Sequence, residues 1–449
     1  MKKVLLIQQY QGRKEHMGAV FPLGLAYLAT ALSDQYDVSV FDANLYDDPY
    51  PVIEERVSAF SPDIVGISLR NIDTLDRRDP FYYFKTIQPT IDIIKAQTPT
   101  AKIVVGGSGF SIFAEEVMER VKDIDFGVYL EGEETFPELI EKMDRPKEVK
   151  GLFFRDHQAV IFTGPRTLPD FVRLPIPKRD LFEMHLYKNH IGNIGIQTKR
   201  GCPLRCVHCS YPFLNGNKIR FRRPEHVVDE IEYLINEFGI HEFMFTDGIF
   251  NSPMKQAIAI CEEIIRRRLK VKWTAWCDIG AFTEEFIDVA ARAGCVRLPF
   301  SPDGATDASL AALGKGIKGS DIDRTLRLLR KYKHIRTSFG FFCFSPKQTF
   351  WGLVKTLWYY LKINVLLLGR GGVSLQWIRI EPHTLIYEIA LKEGLITEKT
   401  PMLPEAEEGL KNLFYVNPSM QLSDTIILFF LWMVNKIARV VLGRKRMDS

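Results

Sequence analysis

The chain has 449 residues, 46% of them hydrophobic and 25% charged, with 59 basic against 55 acidic side chains. Such a composition belongs to a folded globular protein and excludes a disordered chain. A net charge of +4 is too balanced to argue for a nucleic-acid partner, and an odd count of seven cysteines argues against a secreted disulfide framework and for a reducing cytoplasmic setting.

The opening "MKKVLLIQQY" lacks the length and cleavage site of a signal peptide and reads as a first strand. Short β-rich runs follow at "VSVFDA", "DIVGISL", "KIVVGG" and "DFGVYLEG". Between them lie "GLAYLATALSDQ", "VIEERVSAF", "FKTIQPTIDIIKAQ" and "IFAEEVMERV", apolar at helical spacing. The alternation predicts a doubly wound, Rossmann-like α/β domain over residues 1–145, with ligands at the carboxyl ends of its strands. Gly106, Gly107, Ser108 and Gly109 end the fourth strand, and Glu131, Gly132, Glu133 and Glu134 the fifth. Residues 146–190, proline-rich toward "GPRTLPDFVRLPIPKRDLF", are expected to be a linker. Six βα units then run over 191–383, from "GNIGIQTKRGC" to "SLQWIRIEP", and predict a partial (β/α)6 TIM-type barrel. Residues 384–449 are expected to form a helical segment. Its apolar run, Ile426 to Val434, is shorter than the ~20 residues that span a bilayer.

Three of the seven cysteines, Cys202, Cys206 and Cys209, fall within "RGCPLRCVHC". Three soft thiolates on one glycine- and proline-containing loop select zinc, Cu(I) or an iron–sulfur cluster. A structural zinc site wants four ligands, and His208, between two of the cysteines, is poorly placed to be the fourth. Three thiolates on a four-iron cluster leave one iron open to a small molecule.

This loop resembles the signature of the radical S-adenosylmethionine (SAM) superfamily. "FPLGLAYLATAL", "SPDIVGISLRN", "KIVVGGSGF" and "VYLEGEETFPELI" resemble the cobalamin-binding domain that precedes the barrel in one class of these enzymes. "LPIPKRDLF", "FTDGIFN" and "RIEPHTLIYEIALKEGLI" resemble its connecting and barrel motifs. The resemblance implies a [4Fe-4S] cluster on Cys202, Cys206 and Cys209, SAM on its open iron, and cobalamin on the first domain. It implies reductive cleavage of SAM to a 5'-deoxyadenosyl radical, which takes hydrogen from an unactivated carbon of a small molecule that methylcobalamin then methylates. The cluster's electron would come from a donor such as flavodoxin or ferredoxin. A cyclase, rearrangement enzyme or polar methyltransferase of the same class, a non-catalytic cobalamin or iron–sulfur sensor, and a barrel enzyme whose first domain binds no cofactor remain the alternatives.

Two departures stand out. The first turn, "QQYQGRKEHMGAVFPLG", lacks the Asp-x-His-x-x-Gly motif whose histidine ligates cobalt, so Arg70 is the candidate beneath the corrin, or else a surface or substrate-binding cation. "FSPDGATDASL" stands where the family commonly has Gly-x-Glu-Ser, leaving Ser301 and Asp303 as candidate SAM contacts. Gly106 and Gly107 are expected to admit the cofactor's nucleotide tail, or to make an ordinary turn. Ser68 and Ser108 are expected on the corrin periphery or as helix caps, and Glu131, Gly132 and Glu133 on its amides or, for the glutamates, as helix N-terminal charges. Asp247 is a candidate SAM or substrate ligand, or a turn aspartate beside Gly248. Cys277 is a strand-end thiol or a buried hydrophobe. Lys199 and Arg200 are expected to offset the cluster's charge, or to face solvent. Phe429, Phe430 and Trp432 with Lys436, Arg439, Arg444, Lys445 and Arg446 suggest a C-terminal helix that lies on a membrane surface or packs on the barrel.

Overall fold

The structure, a computed structural model, describes residues 1–12, 19–187, 191–367 and 369–428. Its first sheet contains β1 (Lys3–Gln8), β2 (Asp37–Asp42), β3 (Ile64–Ser68), β4 (Lys102–Gly106), β5 (Phe126–Val128), β6 (Leu152–Asp156) and β7 (Ala159–Phe162), in the order β2-β1-β3-β4-β5-β6-β7. The first five are parallel. Connecting them are α1 (Leu23–Leu32), α2 (Tyr50–Phe60), α3 (Ile87–Gln97), α4 (Ser108–Ile112), α5 (Ala114–Arg120) and α6 (Thr135–Glu141). The strands are apolar on both faces because helices cover both. Val4 and Leu6 of β1 share a core with Leu25 and Ala29 of α1 and Leu139 of α6. Leu5 and Ile7 point the other way, onto Ile53 of α2 and Ile91 of α3. This is the flavodoxin-type variant of the doubly wound sheet, and its winding reverses between β1 and β3, where such sheets open a crevice.

The expected linker differs from the observed chain. Residues 152–162 form an antiparallel hairpin that extends the first sheet past β5. Further on, Arg179 of "LPIPKRDLF" is fully buried. It donates to Gly195 O at 2.7 Å and pairs with Glu230 at 2.5 Å, while its guanidinium lies over Phe21 of the first domain. The segment therefore locks the two domains together instead of spacing them.

The second sheet is formed by β8 (Gly195–Ile196), β11 (Glu242–Phe245), β12 (Lys272–Ala275), β13 (Cys295–Asp303), β14 (Arg336–Phe342) and β15 (Gly371–Gln376), with β9 (Lys199–Arg200) and β10 (Arg220–Phe221) paired beside it. Its order, β15-β14-β13-β12-β11-β8, is parallel throughout and open at both edges, as expected of a partial barrel. Helices α7 (Tyr211–Asn215), α8 (Pro224–Phe238), α9 (Met254–Arg266), α10 (Glu284–Arg292), α11 (Asp307–Ala312), α12 (Gly319–Lys331) and α13 (Phe350–Leu367) connect the strands. α8 shows why: Val227, Val228, Ile231 and Leu234, at helical spacing, bury one apolar stripe.

Among the described residues, the C-terminal segment holds strand and irregular chain as well as helix. Beyond α14 (Leu385–Lys392) and α15 (Glu407–Leu410), β16 (Ile378–Arg379) pairs with β17 (Phe414–Tyr415), and residues 421–428 are helical. Ile386, Leu403 and Leu410 join the core beneath α2 and α3. The ion pairs Arg379–Asp73, Lys85–Glu407 and Arg77–Asp424 fasten this return to the first domain. The aromatic and basic residues from Phe429 to Arg446 lie outside the described residues. Among the described residues, no helix is long and apolar enough to cross a membrane.

Candidate active site

The cysteine loop runs from β9 to α7 and is pinned from three sides. Cys202 N–H donates to Gly216 O, Val207 N–H to Leu313 O, and Ile386 N–H to Val207 O. Two glycines allow the close approach. Gly201 (φ +88) has Lys218 O where a Cβ would stand, and Gly314 (φ +71) has Arg205 O in that place. The three thiols are half-buried and unpaired in disulfides, and Cys206 and Cys209 each sense the charge of Cys202. Burial pushes the Cys209 thiol up to about 11 and raises Cys206, against the pull of nearby Lys315. Among the described residues, no three His, Cys, Asp or Glu side chains converge on a single ion. Three soft, partly exposed thiols beside buried cations form a donor set suited to an iron–sulfur cluster.

Sequence reasoning missed Lys315, more than a hundred positions beyond the loop. Its ammonium reaches Asp303 Oδ2 at 2.5 Å and Ser301 O at 3.0 Å. His208 Nε2 lies 3.6 Å from the same Asp303 oxygen, its Nδ1 is buried without a hydrogen-bond partner, and its ring packs on Phe342. Ser301 and Asp303 lie inside β13, one strand end later than a loop position. Asp303 thus holds Lys315 against the cysteine loop.

Asp247 is engaged by the chain itself. Its side chain is buried and its oxygens are taken: Thr198 and Lys199 N–H groups donate to Oδ1, and Thr198 Oγ1 donates to Oδ2 at 2.5 Å. Lys199 Nζ stands 3.7 Å from Oδ2 and donates to Phe250 O. Desolvation raises the carboxyl's pKa and lowers the ammonium's, with each partner opposing the effect. Asp247 therefore clamps the turn that delivers the cysteines. Cys277 is buried, its thiol pushed up by burial, so it is a core residue.

On the first domain the crevice forms as expected. Ser68 and Gly106 end β3 and β4 side by side, and Leu69 N–H donates to Gly106 O. Gly107 (φ +99) lies against Leu69, whose carbonyl oxygen stands 2.8 Å from where a Cβ would be. Ser108 Oγ donates to Arg70 O at 2.7 Å. Arg70 reaches solvent, yet the walls of the crevice surround it closely enough that desolvation lowers its pKa, opposed by Asp42 and Tyr83. A cation at the switch point, with small residues at two adjacent strand ends, suits a large flat cofactor with a narrow tail. Three of the expected contacts have partners within the chain. Gly132 has Leu28 of α1 and Val128 at 3.2 Å from a Cβ position, so its smallness serves packing. Glu131 accepts from Arg220 and from Arg200 Nη1 at 2.7 Å, and Glu133 accepts from Arg200 Nη2 at 2.6 Å. Both carboxylates are committed across the domain boundary, and Arg200 also lies over Tyr27 and Phe171. The same contacts turn the two strand-end faces toward each other: Tyr129 packs on Phe213 of α7, and Phe213 stacks on His383 at 4.0 Å.

A flavodoxin-type crevice facing a three-thiol loop at the mouth of a half-open parallel barrel defines a two-domain, two-cofactor enzyme. The profile of the Radical SAM superfamily matches residues 196–357, and that of the B12 binding domain matches residues 16–140. The chain is 31% identical over 316 residues to an uncharacterized methyltransferase of Pyrococcus horikoshii, covering 69% of this chain and 67% of that one. It is 28% identical over 341 residues to the anaerobic magnesium-protoporphyrin IX monomethyl ester cyclase of Cereibacter sphaeroides, covering 72% of this chain but only 53% of the cyclase. The fold matches that of the radical SAM methyltransferase TsrM from Kitasatospora setae, solved with cobalamin and a [4Fe-4S] cluster, with a TM-score of 0.80 at 24% identity over 96% of this chain and 91% of that one. The chain belongs to the radical SAM superfamily, in the branch that carries an N-terminal B12-binding domain. It is a radical SAM enzyme with a B12-binding domain, and its relatives include proteins named as methyltransferases and as cyclases.

Proposed function

We propose that this enzyme methylates an unactivated carbon of a small apolar or aromatic molecule held between its two domains. The observation that carries the reading is the facing of the two strand-end surfaces, the crevice at Ser68, Arg70 and Gly106 against the loop of Cys202, Cys206 and Cys209, fixed by Arg200 and its partners. When bound, the [4Fe-4S] cluster with SAM supplies a 5'-deoxyadenosyl radical and cobalamin supplies a transferable methyl group. Cys202, Cys206 and Cys209 hold the cluster, and Lys315 and Lys199 offset its negative charge. Gly106, Gly107 and Ser108 would admit the cobalamin tail, and Arg70 would help to hold the cofactor in a crevice whose first turn lacks the cobalt-ligating histidine motif. Glu381, half-buried beside Ser210, Arg379 and Asp73, has a carboxyl pushed up to about 7, chiefly by burial, and so suits a proton acceptor near neutral pH. Reducing equivalents come from a one-electron donor such as flavodoxin or ferredoxin, in a cytoplasm that keeps all seven cysteines reduced.

The test is anaerobic reconstitution with iron, sulfide and hydroxocobalamin, followed by incubation with methyl-labelled SAM, a reductant and candidate small molecules. About four irons and a single cobalt per chain are expected after desalting. 5'-Deoxyadenosine and S-adenosylhomocysteine formed together, with label in a carbon-bound methyl, support the reading. 5'-Deoxyadenosine without S-adenosylhomocysteine turns it to a cyclase or rearrangement enzyme, and neither product turns it to a sensor.

A further inference from the structure

We infer that the outer face of α13, together with the adjoining helix at 421–428, docks this enzyme on an anionic lipid surface. A helix on the outside of a parallel barrel buries one stripe and shows polar residues to water. α13 buries its stripe in the usual way, through Leu353, Thr356, Tyr359, Ile363 and Leu367. Its opposite stripe is apolar as well. Phe350, Trp351, Val354, Trp358, Leu361 and Val365 fall on one side of the helix at 100° per residue and are all exposed, Trp351 to 76%, Leu361 to 64% and Val365 to 66%. Contiguous exposed apolar surface of this kind marks an interaction site.

A neighbouring helix also shows apolar side chains to solvent. Leu353, on the inner side of α13, shares a core with Met420, Ile427 and Leu428, so the 421–428 helix lies beside it. That helix is anchored from within by Asp424, bonded to Arg77 and to Trp377 Nε1, and turns Leu422 and Ile426 outward.

Charge selects the occupant. α13 itself carries two lysines and no Asp or Glu. Lys355 and Lys362 flank the exposed stripe of α13, the latter paired with Asp323, and Lys347 precedes it. Outside the described residues, the sequence from 429 onward carries Phe429, Phe430 and Trp432 and then Lys436, Arg439, Arg444, Lys445 and Arg446 against a single acid, Asp448. Aromatic and aliphatic side chains flanked by lysines are the composition of an interfacial helix, whose bulk enters the acyl boundary while its ammonium groups reach the headgroups. The inference needs no turnover and stands apart from the methyl-transfer reading.

The test is flotation of the full-length, cofactor-loaded protein with vesicles of phosphatidylcholine alone and of phosphatidylcholine mixed with phosphatidylglycerol. Binding about tenfold greater on the anionic vesicles is expected, weakening several-fold as salt is raised from about 0.1 M to 0.5 M. Brominated lipid is expected to quench tryptophan fluorescence. The double variant W351E/L361E, which alters only exposed positions, is expected to melt as the wild type does and to lose binding about tenfold. K355E is expected to weaken binding to anionic vesicles alone. Absence of flotation with either vesicle, or binding that W351E/L361E leaves unchanged, overturns the inference. So does a dimer by light scattering that W351E/L361E dissociates while vesicle binding is absent, which assigns the face to a second copy.

Discussion

Asp247 illustrates how a residue legible in the sequence acquires its role only in three dimensions. Its place after an apolar strand suggested a ligand, yet both oxygens are spent on the backbone and side chains of Thr198 and Lys199. Asp247→Asn is expected to destabilise the apo-chain by about 3 kcal/mol, because Lys199 is left buried without its counter-charge. Urea denaturation measures this, and lower iron retention on reconstitution is expected alongside. Glu381 makes a pH prediction. Its carboxyl binds its proton more tightly in the folded chain than in an unfolded one, with burial as the main cause. The stability this contributes is fully present below the ordinary carboxylate range, about 4.3, and is lost as pH rises through about 7. The melting temperature of wild type is therefore expected to fall over that window relative to Glu381→Gln, and parallel curves for the two proteins would refute it. Neither Glu381 nor Lys315 was legible in the sequence. Each is an ordinary charged residue whose meaning comes from a partner far away in the chain, whereas the three cysteines announce themselves within eight positions.

Among elements, the strands and helices of both sheets were legible because burial on two faces forces unbroken β-branched runs, and burial on one forces helical periodicity. The reading failed where tertiary contact overrides local pattern. The 152–162 hairpin was absorbed into a linker because proline-rich sequence follows it directly. The helix expected over "IFAEEVMERV" is divided at Phe113, between α4 and α5. The cysteine loop is an element without regular structure, and its shape depends on what it leans on. Gly314→Ala introduces a Cβ at 2.2 Å from Arg205 O at a φ of +71. The cost is expected to exceed about 1 kcal/mol, and the loop is expected to retreat from α11. A raised susceptibility of the 202–209 amides to hydrogen exchange, with reduced iron content, is the observation that checks this, while a similar substitution at Gly372 of β15, where nothing lies within 4 Å of a Cβ, is expected to change neither.

At the scale of the molecule, two domains act as one body because a buried ion-pair network bridges them. Arg200 lies between Glu131 and Glu133 of the first domain, with Arg220 on the far side of Glu131. Arg200→Met leaves two acids facing each other without a cation between them. It is expected to cost about 3–5 kcal/mol and to split a single calorimetric transition into two, the domains then melting independently. Cobalamin retention is expected to fall with it. The sequence supplied both halves of this picture and the order in which they come, but not the return of the chain after β15. There Arg379, Glu407 and Asp424 reach back to Asp73, Lys85 and Arg77. That return sets a timetable for biosynthesis. Asp424 leaves the ribosome 347 residues after Arg77, a delay of roughly 20–70 s at common elongation rates. Throughout that interval the first domain can fold while its last fastening does not yet exist. The strand ends that form the crevice, on β1, β3 and β4, are thus synthesised well before the return that fastens the first domain.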